Sequence, residues 1–337
     1  MRKYIIACLL ILSINSFTTI SCKAWGVYGH KHIIKAAIMS LPTQEMGFFF
    51  YAHLNELLEE SIVPDIRKYA FSDKAEFPRH YINIELYNNG NWNTIPKTMP
   101  NAKATYDSLF LMKNGILPWY MQEMMERLTT AMKTGNKNEL IILLGDLSHY
   151  IADAHMPLHT SVNHNGQITN QEGIHGLWES QLPEMFGNNY NYHIASPHFI
   201  SHITDTCWYM IRQSHDLVGR LLETQSLVTQ SYNRDDIFAY DKKGNLRKTK
   251  FKALIFSRGY AMQYHTQLKG MVEQQMRAAA LMTASFWYTA WVNAGKPNLD
   301  RLDTERITAP LKTEYEKELS SFRQGELKNI VVIPEFE

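Results

Sequence analysis

The segment 143–179 concentrates side chains that bind divalent metal ions. His149 and Asp153 are four residues apart in a strongly helical stretch, so they project from one helix face about one turn apart. His175 and Glu179 repeat this spacing on a second predicted helix. His, Asp and Glu are, with Cys, the side chains that coordinate zinc. One such pair is more often a surface pair, but two pairs within one short segment predict a metal centre.

Further residues of this segment strengthen the prediction. Five of the 14 histidines of the chain fall within it. Pro157 should end or kink the first helix and turn His159 back towards the pairs. His155 follows Asp153 by two positions and should point away from the metal-binding face. Asp146 lies one turn before the first pair and is expected to orient an imidazole from outside the ligand set.

The elements that must position these side chains are predicted to be helices. Apolar residues recur every three or four positions through most of the chain, and proline and glycine mark the ends of these runs. Tyr81–Leu86 is the one short strand candidate. We therefore predict an all-α fold. The clearest helical stretches are Gln44–Glu60, Trp119–Met132, Glu139–Ala154, Phe199–Thr224 and Tyr260–Val292.

The first 24 residues are predicted to be a signal peptide. A basic start precedes the apolar run Tyr4–Ile14, and Ala24 supplies a small residue at the cleavage site. A lipoprotein acylated at Cys22 is the less favoured alternative. The protein is thus expected to be exported, periplasmic or secreted, without a transmembrane span. Residues 25–296 should form one helical domain, followed by a C-terminal tail at 297–337.

The remaining composition excludes some classes of function. Removing the three basic residues of the leader leaves 31 Lys and Arg against 33 Asp and Glu, a net charge of −2 with His neutral. Such a balance creates no general affinity for nucleic acid. Cys207 is the only cysteine after the leader, so no internal disulfide is expected. We expect a monomer that depends on its core or on metal for stability.

Five blocks of the sequence carry a resemblance to a known family. They are Trp25-Gly26-Val27-Tyr28-Gly29-His30, Pro64-Asp65-Ile66-Arg67, Arg79-His80-Tyr81-Ile82, the run from Gly145 to His159, and Gly173-Ile174-His175-Gly176-Leu177-Trp178-Glu179-Ser180. Together they resemble one superfamily, which comprises the bacterial zinc-dependent phospholipases C and the single-strand-specific zinc nucleases. The blocks lie in family order, and the resemblance covers the chain from Trp25 to Glu179.

The resemblance implies three zinc ions, whose ligands fall on nine positions of this chain. Asp153 would bridge the first and third ions, and the third would need the free amine that cleavage before Trp25 creates. The first ion would take Asp65, His80, His149 and Asp153; the second His159, His175 and Glu179; the third the amine and carbonyl of Trp25, His30 and the other oxygen of Asp153.

A site of this kind would hydrolyse phosphate esters. Zinc lowers the pKa of bound water, so that hydroxide can attack phosphorus at neutral pH. Asp65 is a candidate catalytic residue that would accept the proton of the attacking water, in addition to its place among the ligands. The positive charge of the ions would attract a phosphodiester substrate.

Two features favour a phospholipase C over a nuclease. The nucleases more usually have Asp where this chain has Glu179, and the gap between His159 and His175 is short. A single-strand-specific endonuclease and 3′-nucleotidase of the same superfamily is the alternative, since aromatic residues for base stacking are abundant. A zinc-binding protein without catalysis is a lesser alternative, because the ligands are dispersed along helices and not gathered in a flexible loop.

Overall fold

The computed structural model describes residues 25–249, 253–301 and 307–330. The predicted signal peptide and Cys22 therefore lie outside the described residues. Within these ranges the secondary structure is helical, apart from isolated β-bridges between residues 238 and 256. The all-α class is thus confirmed. None of the helices in the described part combines the length and the apolar character needed to cross a bilayer.

The described part of the first half of the chain, up to the end of the first predicted metal-binding helix, contains eight α-helices, of which the first and the last two are the longest. Their bounds are α1 Gly26–Met39, α2 Gln44–Ala52, α3 Leu54–Glu60, α4 Val63–Tyr69, α5 Met99–Thr105, α6 Ser108–Asn114, α7 Leu117–Thr134 and α8 Lys137–Ala154. Short 3-10 helices connect them at Phe77–His80, Ile84–Leu86 and Asn88–Gly90.

The second half continues with short helices around the site and long helices in the core. Their bounds are α9 Ile174–Gly176, α10 Leu182–Phe186, α11 Ile203–His215, α12 Val218–Gln230, α13 Arg234–Ile237, α14 Arg258–Gln267, α15 Met271–Asn293 and α16 Ala309–Arg323. A π-helix at Leu177–Gln181 joins α9 to α10, and 3-10 helices lie at Pro157–Thr160, Gly187–Asn189 and Leu299–Arg301.

The predicted strand at Tyr81–Leu86 is wrong. Its backbone finds partners in loops and helix ends, since Ile82 N donates to His159 O at 2.8 Å and Asn83 N to Asn114 O at 2.8 Å. The chain then enters the 3-10 helix Ile84–Leu86. This segment therefore links the loop at His159 to α6 instead of joining a sheet.

Three of the long helical predictions are each divided in two. The stretch 44–60 breaks at His53, and 199–224 begins late and is interrupted between α11 and α12. The stretch 260–292 breaks where Lys269 and Gly270 both have positive φ, at 51° and 79°. A helix cannot continue through that backbone conformation, although the apolar periodicity runs across it.

The core forms where α1, α7 and α8 pack around α15. Trp287 of α15 is fully buried, and its indole N–H donates to Leu144 O of α8 at 3.3 Å. On another side, α8 meets α3 at Gly145, where an added Cβ would lie 2.4 Å from Glu60 Cβ. This close approach lets His149, one turn later, reach the backbone of Ser61.

The segment predicted as a C-terminal tail contains a helix that packs on the domain. Tyr315 of α16 is buried against α2, where a Cβ added to Gly47 would fall 1.9 Å from the Tyr315 hydroxyl oxygen. Glu318 Oε2 lies 2.7 Å from Nζ of Lys35 on α1. The part of the tail between residues 309 and 323 thus joins the body of the protein.

Candidate metal centre

Four predicted ligands converge in a first cluster at the centre of the molecule. α4 supplies Asp65, the 3-10 helix 77–80 supplies His80, and α8 supplies His149 and Asp153, all of them buried. Asp153 Oδ2 lies 2.9 Å from His80 Nδ1 and 3.3 Å from His149 Nε2. Asp65 Oδ1 lies 3.7 Å and 4.0 Å from the same two nitrogens.

These separations fit a single tetrahedral ion. Zinc–nitrogen and zinc–oxygen bonds of about 2.0–2.2 Å place the ligand atoms of a tetrahedron about 3.3–3.6 Å apart. The four atoms of the first cluster come from one carboxylate on α4, one imidazole on the 3-10 helix and one residue of each type on α8. Asp65, His80 and His149 form a group that could hold a metal ion, and Asp153 lies within 3.3 Å of both histidines.

Three further predicted ligands form a second cluster. His159 Nε2 lies 3.3 Å from His175 Nε2 and 3.6 Å from Glu179 Oε2, and the last two atoms are 3.0 Å apart. His159 stands in the 3-10 helix that Pro157 begins, so the proline has the effect that the sequence predicts. Three ligands would leave the fourth position of a tetrahedral zinc ion available, which is the arrangement of a catalytic site.

The remaining predicted ligands lie beside these clusters. The His30 ring stacks on His149 with centroids 4.1 Å apart, and these two residues and Asp153 form a third group that could hold a metal. Trp25 is fixed by an indole hydrogen bond of 2.6 Å to Ala152 O, and its backbone nitrogen lies 3.2 Å from Glu179 Oε2. All nine predicted ligand residues therefore belong to one neighbourhood.

Backbone carbonyls fix the orientation of three of the imidazoles. Nδ1 of His149 donates to Ser61 O at 2.7 Å, and Nδ1 of His159 donates to His80 O at 2.7 Å. His175 Nδ1 donates in the same way to the His164 carbonyl at 2.8 Å. In each ring Nε2 then faces its cluster, which is the orientation that metal-binding histidines require.

The pKa values of two carboxylates and one imidazole suit metal binding. Although burial acts in the opposite sense, the surrounding histidines lower the pKa of Asp153 well below its ordinary value, and that of Glu179 to about 2. Burial holds the pKa of His30 far below its usual range, so this ring is neutral. Burial acts to lower the pKa of His149, but Asp153 and Asp65 raise it to about 9, and Glu179 likewise raises the pKa of His175. Zinc binds ionised carboxylates and neutral imidazoles, so it would displace a proton from each of these two rings.

Buried polar atoms without hydrogen-bond partners also indicate that these residues fit a metal ion. Neither ring nitrogen of His30 has a hydrogen-bond partner among the described residues, and the same is true of Asp153 Oδ1. Such atoms are costly in a protein interior unless a ligand or ion satisfies them. The residues present therefore fit zinc.

Sequence reasoning missed Glu76. This carboxylate is fully buried, and its Oε1 lies 3.4 Å from His80 Nε2, opposite the nitrogen that faces the first cluster. Its other oxygen pairs with Arg67 Nε at 3.0 Å and with an Arg79 nitrogen at 2.9 Å, and the Tyr150 hydroxyl also donates to Glu76. The position four residues before His80 is a signal that could have found it.

Asp146 does not have the predicted contact with an imidazole. Its Oδ2 accepts a hydrogen bond from Arg67 at 2.8 Å instead. His32 and His155 lie outside the metal-binding groups of the described residues. Each directs Nδ1 to the carbonyl four residues earlier in its own helix, at 2.7 Å and 2.8 Å.

Both clusters border one pocket of about 730 Å³, a size typical of small-molecule sites. Ligands from both clusters reach it. Lys68 lies in its wall, with Nζ 3.9 Å from Asp65 Oδ1 and 4.7 Å from the ring centroid of Tyr69. Apolar walls come from residues such as Phe77, Tyr81, Leu158 and Leu254.

A search of the curated proteins finds no match for this chain. The model of one protein family, zinc-dependent phospholipase C, matches residues 29–217, which is more than half of the 337 residues. The match includes every predicted side-chain ligand, from His30 to Glu179. The chain therefore belongs to the zinc-dependent phospholipase C family, and its activity is that of a hydrolase.

Proposed function

We propose that this protein is a trinuclear zinc phosphodiesterase of the phospholipase C type. The observation that carries the proposal is the shared pocket, which His80 of the first cluster and His159, His175 and Glu179 of the second all border. A phosphate group in this pocket would contact both clusters at once. When bound, zinc would supply a nucleophile at neutral pH and polarise the phosphoryl oxygens.

The ligand sets follow the two clusters and the neighbouring third group. Asp153 would bridge two ions because its Oδ2 faces His80 and His149, whereas its Oδ1 accepts no hydrogen bond from the residues that the structure describes. The first ion would be held by Asp65, His80, His149 and Asp153, the second by His159, His175 and Glu179, and the third by Trp25, His30 and Asp153.

Two neighbouring side chains, Asp65 beside the pocket and Lys68 in its wall, have direct roles in this proposal. Asp65 would accept the proton of the attacking water. Lys68 is buried beside it, and although burial acts to lower its pKa, the neighbouring Tyr69 and Asp65 raise that pKa above its ordinary value. The resulting ammonium binds a phosphate oxygen of the substrate.

The third ion depends on processing of the chain. We propose that export removes residues 1–24 and frees the amine of Trp25 beside Glu179. N-terminal sequencing of the exported protein should begin at Trp25. Zinc analysis should then give three ions per chain, and a version with one extra residue before Trp25 should give two. An acylated Cys22 at the mature N-terminus would contradict the processing step.

Phospholipid is the favoured substrate because the pocket walls are largely apolar and the family acts on phospholipids. The zinc-loaded protein should release diacylglycerol and the phosphorylated head group from phosphatidylcholine. The same preparation should be assayed side by side on single-stranded DNA and RNA. If the zinc-loaded protein cleaves neither phosphatidylcholine nor single-stranded nucleic acid, the proposed function is wrong.

A single-strand-specific nuclease and 3′-nucleotidase remains the second candidate because of an aromatic pair in the pocket wall. Tyr69 and Phe77 stand edge to face with centroids 6.2 Å apart, and both are partly exposed. Such rings can stack on nucleobases. If this candidate is right, Tyr69→Leu and Phe77→Leu should raise the KM for single-stranded DNA, with oligonucleotides as the products.

A further inference from the structure

A basic loop, defined here as residues 240–248, rises from the wall of the metal pocket. Three short segments, 237–241, 245–249 and 253–257, pair with one another in its base. Ala239 N donates to Ile255 O at 2.8 Å, Arg247 N to Ala239 O at 2.8 Å, and Ile255 N to Arg247 O at 3.1 Å. These mutual hydrogen bonds give the loop a defined base.

The tip of the basic loop is also ordered by its own side chains. The Asp241 carboxylate accepts hydrogen bonds from Lys243 N at 2.8 Å and from Asn245 N at 2.9 Å. Gly244 has a φ of 83°, which side chains rarely adopt. The turn thus has a built conformation, and the one acidic residue of the loop is occupied in holding it.

Gln181 fastens the base of the loop to the metal site. Its side-chain oxygen accepts from Phe256 N at 3.0 Å, and its amide donates to Leu254 O at 3.5 Å. Gln181 lies in the same π-helix as Glu179, a residue of the second cluster. Leu254 and Thr249 line the pocket, so the basic loop continues the pocket wall outwards.

The loop carries an unusual density of positive charge for this chain. Its four basic residues are exposed, and none of them forms an ion pair with another described residue. The full chain has a net charge of only +1. A local cluster of this kind attracts anionic surfaces within a Debye length. The four residues are Lys242, Lys243, Arg247 and Lys248.

Apolar side chains accompany these charges. Tyr240 and Leu246 are β-bridge partners, so their side chains lie on the same face of the pair. They remain 42% and 41% exposed, although both are large and apolar. Basic residues next to exposed tyrosine and leucine are typical of surfaces that enter the interfacial region of a bilayer. A purely polyanionic partner would leave the leucine without a function.

We propose that the basic loop docks this enzyme on a phospholipid bilayer that contains anionic lipids. The lysines and arginine contact the head groups, Tyr240 and Leu246 enter the interface, and the mouth of the pocket then faces the lipid. This inference rests on the proposed phospholipase function. It adds a second lipid contact that requires neither zinc nor turnover.

The test is co-sedimentation of the zinc-loaded protein with vesicles. Vesicles of phosphatidylcholine mixed with phosphatidylglycerol should bind it more tightly than pure phosphatidylcholine, and salt should weaken the difference. Lys242→Glu with Lys243→Glu should reduce binding to the mixed vesicles by at least about tenfold. The matched control, Lys133→Glu with Lys317→Glu, makes the same charge change at exposed helical positions and should alter binding by less than about twofold.

A second variant tests the apolar contact. Tyr240→Ser with Leu246→Ser should reduce binding to both kinds of vesicle by about tenfold or more. Zinc content and hydrolysis of a monomeric short-chain phospholipid should stay at the level of the unmodified protein in all loop variants. These two readouts show that the variants are folded and that their catalytic site is intact.

Several outcomes would overturn the docking role. Vesicle binding that the loop variants leave unchanged would do so, as would an equal loss in the control pair, because the effect would then be one of total charge. Loss of single-stranded DNA cleavage in the loop variants, with their vesicle binding intact, would assign the loop to nucleic acid.

A different outcome separates the docking role from the proposed function. Vesicle binding that depends on the loop, without any phospholipid hydrolysis, would refute the proposed function and support the docking.

Discussion

The two ends of helix α1 bury ionisable groups in opposite ways. Towards its C-terminal end, Lys35 pairs with Glu318 at 2.7 Å. At its N-terminal end, His30 faces the carboxylate of Asp153, and neither ring nitrogen of this histidine has a hydrogen-bond partner among the described residues. The buried lysine near the C-terminal end thus has a charged partner within the chain, whereas the buried imidazole near the N-terminal end needs a bound ion or ligand as its partner.

This contrast separates the stabilising charges from the functional ones. A buried ion pair is costly to break because the remaining partner stays charged in a medium of low polarity. At the metal centre, Asp153 and Glu179 are also charged and buried, because their low pKa values keep both carboxylates ionised. Their burial carries the same kind of energetic cost. The energy that zinc binding releases would offset it. Substitutions at the two ends should therefore change different observables.

The largest effect should come from Asp153→Asn. Because Asp153 lies against His80 and His149 of the first cluster and also belongs to the third group, this change should remove two zinc ions per chain. Phosphodiester hydrolysis should fall by about 10³-fold or more, since metal ions contribute several kcal/mol to the stabilisation of the transition state. Metal analysis of the purified variant and an assay on the preferred substrate measure both losses.

His159→Asn provides the comparison for this prediction. It alters a ligand of the second cluster alone, so one zinc ion should be lost. If Asp153→Asn also removed only one ion, or kept full hydrolysis, the bridging role of Asp153 would be wrong.

A smaller and different effect is expected from Glu318→Gln at the other end of α1. Lys35 would remain buried without its anionic partner, and the hydrogen bond from the Tyr51 hydroxyl would weaken. The free energy of unfolding should fall by about 2 kcal/mol. This is less than the roughly 3–5 kcal/mol of a fully buried pair, because the Glu318 side chain is 24% exposed. Denaturant titration measures the change.

The zinc content of Glu318→Gln should stay normal under native conditions. Glu316→Gln is the matched control, since Glu316 is exposed on the same helix and its loss should change stability by less than about 0.5 kcal/mol. A loss of zinc in Glu318→Gln comparable to that in Asp153→Asn would show that the two ends of α1 are not independent.

The sequence predicts which candidate ligands come together better than it predicts the elements that carry them. His149 and Asp153 lie on one helix as their spacing indicates, and His175 and Glu179 are joined across the α9 and π-helix boundary. Spacing of four residues is a local property, so it survives small errors in helix bounds. The helix breaks at His53 and before α15 depend on tertiary packing and on single backbone angles, which periodicity does not encode.

Long-range partners were also beyond the reach of local patterns. The pairing of Lys35 with Glu318 joins residues from opposite ends of the chain. Asp146 and Glu76 are both buried carboxylates beside Arg67, and only the fold decides which of them faces an imidazole. Spacing favoured Asp146, whereas the 3-10 helix at 77–80 brings His80 against Glu76.

A third prediction tests that distinction. Glu76→Gln keeps the shape of the side chain but removes the charge beside His80 Nε2. The first zinc should then be released to a chelator more readily, with an affinity about 10–100-fold lower, as is usual when the partner of a metal-binding histidine is lost. Excess zinc should restore hydrolysis. Asp146→Asn removes a buried carboxylate from the same Arg67 without touching a ligand, so its zinc affinity should stay near that of the unmodified protein. Equal losses in both variants would mean that Arg67, and not the contact with His80, transmits the effect.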